Sequence, residues 1–476
     1  MRVLFVTSEA YPLVKTGGLG DVSYALPNAL RQLGIDVRLL IPGYPEVLKQ
    51  LSLIEVHENI RLYPLDEPIH LLAGIMPGEI TPVYVIKCPS LYERDGGPYQ
   101  DTEGKDWVDN ALRFGILSKV AALFGHHQLL FKPQIVHCND WQTGLVPALL
   151  TFHPNPNTRT VMSVHNMAYQ GLFGSELIDE FGLPPESFSL SGLEYYGKVS
   201  FLKAGLSYSD WITTVSPNYA KDIQTPAYGC GLEGLLTQRQ THLTGILNGI
   251  DTKVWNPETD QHLSRHYTIK SLAAKARNTQ ALRSQFKLAS SKQIPLIGII
   301  ARLIDQKGID LVVHIIPDII KAGAQLVILG SGDKNLELSL LQLAKHYPKQ
   351  LSVTLGYDEK LAHQIEAGAN MFLMPSRFEP CGLNQMYSMY YGTIPIVRRT
   401  GGLADTVVDA SSEHIQNKTA TGFVFENSDE LFSCIQRALQ IFRHKKIWQQ
   451  LQITGMSRDF SWQKSARQYI SLYHQL

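Results

Sequence analysis

Residues 1–43 read MRVLFVTSEAYPLVKTGGLGDVSYALPNALRQLGIDVRLLIPG, and this stretch decides the fold. Val3-Leu4-Phe5-Val6 is an apolar run of strand length. A glycine-rich loop follows as far as Gly20. A helix is expected from about Asp21 to Gly34, with Asp21 as its N-cap and Gly34 just past its last turn. Val37 to Ile41 is a second strand, stopped by Pro42-Gly43. Strand, loop, helix and strand in that order make one βαβ unit, the building block of parallel sheets.

The same plan recurs along the chain. Pro82–Ile86, Ile135–His137, Thr160–Val164 and Trp211–Val215 read as further strands. From Asn256 to Gln293 the pattern turns to a polar, Lys/Arg/Gln/Ser-rich helix. A second strand series then opens at Ile294–Ala301 and continues through Gln325–Leu329, Leu351–Leu355, Asn370–Met374 and Thr393–Val397. Helix-length segments separate them, and helical material closes the C-terminus. The expectation is therefore an α/β chain of two doubly wound halves joined near residue 250, the alternative being one large α/β domain. A length of 476 residues suits two or three domains at roughly 150 residues each.

Composition excludes several classes. Hydrophobic residues make up 44% of the chain, too many for a disordered protein. Forty-three Lys+Arg balance 43 Asp+Glu, which argues against a nucleic-acid binder that works by neutralising phosphates. The longest apolar stretch, Ile294–Ala301, is far short of the roughly 20 residues that span a bilayer. The N-terminus breaks at Ser8-Glu9 and does not read as a signal peptide. Cys88, Cys138, Cys230, Cys381 and Cys434 are scattered, which favours a reducing cytoplasm over disulfides or a cysteine zinc site.

In open parallel sheets ligands bind beyond the carboxyl ends of strands, so the chemistry is sought in the loops that follow them. Lys15-Thr16-Gly17-Gly18-Leu19-Gly20-Asp21 sets a lysine and free backbone N–H groups ahead of a helix, a combination suited to an anion. It matches neither the dinucleotide fingerprint nor the P-loop. Arg302 and Lys307 share the loop after Ile294–Ala301 and suit a diphosphate. Glu379, between Phe378 and Pro380 and ahead of Cys381-Gly382-Leu383, is either an acceptor for a sugar hydroxyl or a turn glutamate. His165 follows a strand and is either a proton-transfer group or a hydrogen-bonded structural histidine. Asp140-Trp141 either line a carbohydrate site or cap a helix. Gly330-Ser331-Gly332-Asp333 and Gly401-Gly402 repeat the strand, glycine, helix plan.

Taken together these motifs resemble the bacterial glycogen synthase / starch synthase family of retaining glucosyltransferases. The residues that carry the likeness are SEAYPLVKTGGLGDV (8–22), HCNDWQTGL (137–145), VHNMAYQG (164–171), NGID (248–251), ARLIDQKG (301–308), PSRFEPCGL (375–383) and RRTGGLADTV (398–407). The resemblance implies a GT-B architecture of two Rossmann-like domains with the site in the cleft between them. On that reading, residues 1–247 form the acceptor-side domain and 248–456 the nucleotide-sugar domain. Residues 457–476 form a helix packing back on the first. Glucose passes from ADP-glucose to the non-reducing end of an α-1,4-glucan with retention of configuration, in the cytoplasm, without cofactor or metal. No nucleic-acid or membrane partner is implied, and the oligomeric state is left open.

The resemblance also distributes roles. Lys15, Arg302 and Lys307 would hold the diphosphate, and Gly18 would bring backbone close to the donor. Asp21, His165 and Glu379 would contact the transferred glucose, with Cys381, Gly382, Leu383 and Asn248 nearby. Tyr357 would stack on the base. Glu9, Tyr99, Asp140 and Trp141 would face the acceptor. Related retaining transferases often carry a second Glu eight positions after the first, where this chain has Tyr387, so a front-face departure and attack is expected. Two positions depart from the family: Asn139 stands where a second His is usual, and Asn384 where Thr is common. A pyridoxal phosphate-dependent glucan phosphorylase lacks its Schiff-base lysine motif here. A nicotinamide oxidoreductase lacks its glycine fingerprint. A non-catalytic glucan-binding protein is at odds with the retained Lys15, His165, Arg302, Lys307 and Glu379.

Overall fold

β1 (Arg2–Val6) is buried from Val3 onward on both faces, as a strand sandwiched between helix layers must be. The computed structural model describes residues 1–155, 157–291 and 293–476. They fall into two compact units, Met1–Asn248 with Trp462–Leu476, and Gly249–Ser461.

In the first unit the strands are β1, β2 (Asp36–Pro42), β3 (Ile54–Ile60), β4 (Ile69–Ile75), β5 (Pro82–Lys87), β6 (Ile135–Asn139), β7 (Arg159–Val164), β8 (Leu172–Phe173), β9 (Glu194–Tyr195), β10 (Lys198–Ser200), β11 (Trp211–Thr214) and β12 (Leu243–Gly245). Nine of them form one sheet in the order β12-β11-β7-β6-β1-β2-β5-β4-β3. Pairing is parallel except at β3 and β4, which add an antiparallel edge. The remaining three make a small antiparallel sheet, β8-β10-β9.

The second unit contains β13 (Leu296–Ile300), β14 (Gln325–Gly330), β15 (Leu351–Leu355), β16 (Met371–Met374), β17 (Ile394–Arg398) and β18 (Phe423–Phe425). All pairs are parallel, in the order β15-β14-β13-β16-β17-β18. Numbered from β13 that is 3-2-1-4-5-6, the doubly wound order of a Rossmann fold. The first sheet has the same reversal, with β2 on one side of β1 and β6 on the other. Each unit therefore has a point where chain order turns round and the loops after two neighbouring strands diverge: β1/β6 in the first, β13/β16 in the second.

Several expectations need correction. The first helix runs Gly18–Gln32 and is capped by Gly17, so Asp21 lies in its first turn and is not the N-cap. Gly34 has φ 89° and does sit just beyond the helix. Among the described residues, the polar stretch from Asn256 holds only a 3₁₀ segment, Ile269–Ala274, and an α-helix, Lys275–Gln285. The β3–β4 hairpin escaped the sequence reading because β3 is largely polar and both strands are half-exposed. The boundary to the C-terminal helix falls between Ser461 and Trp462 and not after Met456.

That helix, Trp462–Tyr473, lies against the helix Gly18–Gln32. Gln463 Nε2 donates to Gln32 Oε1, and Ser465 Oγ donates to Leu247 O. Its Tyr473 hydroxyl is 2.7 Å from Nδ1 of fully buried His137, whose Nε2 is 2.6 Å from Ser163 Oγ. Burial pushes the His137 pKa down to about 3, so the ring is neutral and both nitrogens need partners. Tyr473→Phe leaves Nδ1 buried and unpaired. Urea unfolding of the full chain should show a loss of about 1–3 kcal/mol with unchanged m value.

Candidate functional site

In the first unit, the loop from β1 to its helix is tied down from within. Glu9 is 2% exposed, and both its oxygens are occupied. Oε2 accepts from Thr16 N at 2.5 Å and Gly17 N at 3.2 Å, while Oε1 accepts from Thr16 Oγ1 at 2.6 Å and from the Tyr99 hydroxyl. Tyr99 OH also bonds Ser8 Oγ at 2.8 Å. Glu9 thus points both carboxylate oxygens at the Lys15–Gly18 loop, and Tyr99 braces Glu9. The loop holds Lys15 Nζ 2.8 Å from Asp21 Oδ1. A Cβ added at Gly17 or Gly18 would meet no atom within 4 Å, so the backbone here borders open space.

Tyr99 is itself positioned by a residue the sequence reading passed over. Arg113 is 1% exposed in the helix Asn110–Gly125. Its guanidinium donates to Leu91 O, Pro98 O and Asn110 Oδ1, each at 2.8 Å, and Asn110 Nδ2 donates to Tyr99 O. A lone Arg inside an apolar helix was its only signal.

β6 and β7 deliver the second group. Asp140, just past β6, has φ 54° and ψ −176°, a strained conformation for a residue with a side chain. It turns Oδ1 onto His165 N at 2.7 Å. Burial pushes its carboxyl up to about 7, against the backbone donors of His165 and Asn166. His165 Nε2 lies 3.0 Å from Asn139 Oδ1, and burial lowers its pKa to about 4, opposed by Glu9, so the ring is neutral at pH 7. Trp141 packs among Phe114, Phe173 and Phe201, with centroids 5.0–6.4 Å away. Gly171 crosses its face at φ 61°, where a Cβ would lie 2.3 Å from the indole. Trp141 is thus held on several sides by its own unit. Asn248, 9% exposed, is the last residue of the first unit's main segment.

In the second unit the loops after β13 and β16, the two strands at the reversal, meet. Lys307 Nζ pairs with Glu379 Oε2 at 2.5 Å, and Ser376 Oγ donates to the same oxygen. Contact between the loops is close enough to require Gly308: at φ 67°, a Cβ there would sit 2.2 Å from Pro375 O. Arg377 locks them further, bonding Asp310 with both Nη atoms at 2.7 Å. Arg302 reaches outward from the same turn, exposed and with no ion-pair partner among the described residues.

Cys381 is buried, and Gly382, at φ 69°, turns the chain into the helix Asn384–Tyr390 that Leu383 caps. Gln385, also passed over, pins this turn through Nε2 to Cys381 O and Gly382 O. Asn384 Nδ2 donates to Ile300 O at 2.9 Å, tying the helix start to the end of β13. Tyr357 is 71% exposed on the loop after β15. Tyr387 is buried with its ring stacked on Trp255 at 4.0 Å; Trp255 stacks His363 at 3.7 Å on a second contact.

Among the described residues, no three His, Cys, Asp or Glu side chains gather as metal ligands would, and no helix is long and apolar enough to cross a membrane. In each unit the structure brings a lysine and a carboxylate together at a strand-order reversal, with glycine backbone beside them. Two such Rossmann-like units are the parts from which a glycosyltransferase of the GT-B class is built, the class that the matches below show for this chain.

Comparison with known proteins narrows the class. Residues 2–238 match the starch synthase catalytic domain, and residues 281–445 match the glycosyl transferases group 1 family. The glycogen synthase of Nitrosomonas eutropha is 51% identical over 99% of this chain and 96% of its own. That of Nitrosospira multiformis is 50% identical over 99% and 97%. The solved catalytic domain of starch synthase IV from Arabidopsis thaliana, bound to ADP and acarbose, superposes with a TM-score of 0.88 at 33% identity, covering 100% of this chain and 99% of that one. Sucrose-phosphate synthase from Thermosynechococcus elongatus shares the fold, at a TM-score of 0.60 and 18% identity over 100% of this chain and 98% of that one. The chain belongs to the glycogen synthase / starch synthase family, and it is a glucosyltransferase.

The Glu9 network makes a discriminating prediction. If Glu9 acts by holding the Lys15 loop, Glu9→Gln places an amide N–H against donors and should lower kcat by about tenfold or more, with the glucan KM within about threefold. A raised glucan KM at unchanged kcat would place Glu9 on the acceptor instead. Initial-rate kinetics of glucosyl transfer decide between them.

Proposed function

We infer that the chain transfers glucose from ADP-glucose to the non-reducing end of an α-1,4-glucan with retention of configuration, working in the cytoplasm. The observation that carries the reading is the Lys307–Glu379 pair at the β13/β16 reversal, on a loop that also carries Arg302. A diphosphate leaving group develops negative charge as the glycosidic bond breaks. Lys307, held by Glu379, and Arg302 on the same loop offer cations to that charge without a metal, and Lys15 offers another in the first unit. Gly18 and the turn Cys381-Gly382-Leu383 offer backbone close to the donor, and the exposed Tyr357 ring suits stacking on its base. The ADP and acarbose held by starch synthase IV support a nucleotide-sugar donor and a glucan acceptor.

Glu379, Asp21 and His165 face the transferred glucose in this reading. Neither carboxylate is set up as a nucleophile: Glu379 is bound to Lys307 and Ser376, and Asp21 to Lys15. Position 387, eight after Glu379, holds a tyrosine stacked on Trp255. The reaction is therefore assigned a front-face course, in which the departing phosphate oxygen takes the proton of the attacking glucan hydroxyl. Glu9, Tyr99, Asp140 and Trp141 shape the acceptor side through the loops they hold. Asn248 lies beside the donor glucose.

Radiolabelled transfer to glycogen tests this reading, with ADP-glucose and UDP-glucose compared side by side. ADP-glucose should be the better donor, and Lys307→Ala and Glu379→Ala should each lower kcat/KM by at least about 100-fold. Transfer from neither donor would refute the assignment. A trapped glycosyl adduct on Glu379 or Asp21 would refute the front-face course.

A further inference from the structure

Asn139 is the last residue of β6, fully buried, at the point where β6 and β1 part. Its amide has one orientation that satisfies its surroundings. The Nδ2 atom lies 3.0 Å from Val6 O and 3.4 Å from His137 O, and both are acceptors, so the NH₂ group faces them. The oxygen then faces His165, with Oδ1 3.0 Å from Nε2. An amide oxygen only accepts, so Nε2 must carry the hydrogen.

We propose that Asn139 is a positioning residue that locks His165 in its Nε2–H tautomer, leaving the Nδ1 lone pair as the ring's acceptor for a hydroxyl of the transferred sugar. This rests on the reading above that His165 faces that sugar. The polarity runs one way, from the His165 ring N–H to the amide oxygen, and from the amide NH₂ to the carbonyl at the end of β1. In the opposite tautomer the Nε2 lone pair would confront the amide oxygen, two acceptors pressed together in a dry site, and Nδ1 would present a donor.

The charge state supports the geometry. Burial holds the imidazolium pKa near 4, so the ring is neutral around pH 7 and the tautomer is the remaining variable. The charged and titratable groups around it leave that choice to Asn139. Glu9 acts on the ring only through its charge, Asp140 is turned onto the His165 backbone N–H, and His137 is itself neutral. Asp140 fixes where the His165 backbone sits, and Asn139 fixes which ring nitrogen bears the proton.

Nitrogen-15 NMR of the full chain, labelled at histidine, reads the tautomer directly, with the His165 signals identified by their absence in His165→Asn. The expected spectrum is a single Nε2–H imidazole at neutral pH. Asn139→Leu fills the space but neither accepts nor donates. It should give mixed tautomers and a kcat lower by at least about tenfold, with the ADP-glucose KM within about threefold. Asn139→His should restore both readouts, because a neutral imidazole can donate to Val6 O through one nitrogen and accept from His165 through the other.

An Nδ1–H or imidazolium signal in the unaltered chain would overturn the proposal. So would a kcat for Asn139→Leu within threefold of the unaltered chain. Should Asn139→Leu fail to fold, the spectrum of the unaltered chain together with Asn139→His decides. A chain that transfers no glucose would sink the transferase reading, while the tautomer spectrum would still judge this one.

Discussion

The rest of the site depends on one kind of interaction: a buried carboxylate, placed just beyond a parallel strand, turned back onto backbone N–H groups. Glu9 does this after β1, taking the N–H groups of Thr16 and Gly17, and Asp140 does it after β6, taking that of His165. A parallel strand ends at the sheet's rim with its loop unsupported, because the ladder hydrogen bonds stop there. A carboxyl oxygen facing backbone N–H groups supplies short bonds in a region of low dielectric. It freezes the loop without covering its outer face, so Gly17 and Gly18 keep open space beside them. In the second unit Asp310 plays the comparable part through Arg377, and Gln385 braces the turn at Gly382.

Zero net charge takes on a different meaning in this light. In each unit the lysine assigned to the diphosphate is paired with a carboxylate assigned to the glucose, Lys15 with Asp21 and Lys307 with Glu379. The site is thus neutralised locally. A bare cluster of cations at a strand end would repel itself and trap any anion. Paired in this way, each lysine is kept in place by its carboxylate. Arg302 lacks such a partner among the described residues and extends into solvent. As a fork of donors it is suited to the first contact with a planar or tetrahedral anion.

Much of the fold was legible because parallel strands, buried on both faces, must be continuous apolar runs. Val3–Val6, Leu326–Leu329 and Met371–Met374 stand out for that reason. The hairpin Ile54–Ile60 with Ile69–Ile75 did not, because an antiparallel edge strand can be half polar, and its residues alternate irregularly. Asp21 was misread as a helix cap because a capping residue and a first-turn acid look alike in sequence. Both lie near the helix start, and only the backbone conformation of Gly17 separates them.

For the site the division is similar. Lys15, Arg302, Lys307, His165 and Glu379 were visible from the sequence by itself, since each is a polar residue in a glycine- or proline-marked loop after an apolar strand. That local pattern points to an anion, and the glucosyl-transfer chemistry comes from the resemblance of the motifs taken together. Which groups touch is set by the folded chain as a whole. Glu9 and Tyr99 are 90 positions apart yet share a hydrogen bond, and Lys307 meets Glu379 across 72. Strand order sets these encounters, and strand order is not written in local periodicity. It comes from which apolar faces bury one another most completely. That global packing choice put β1 beside β6, β6 beside β7 and β13 beside β16, and the β6–β7 pairing placed Asn139 against His165.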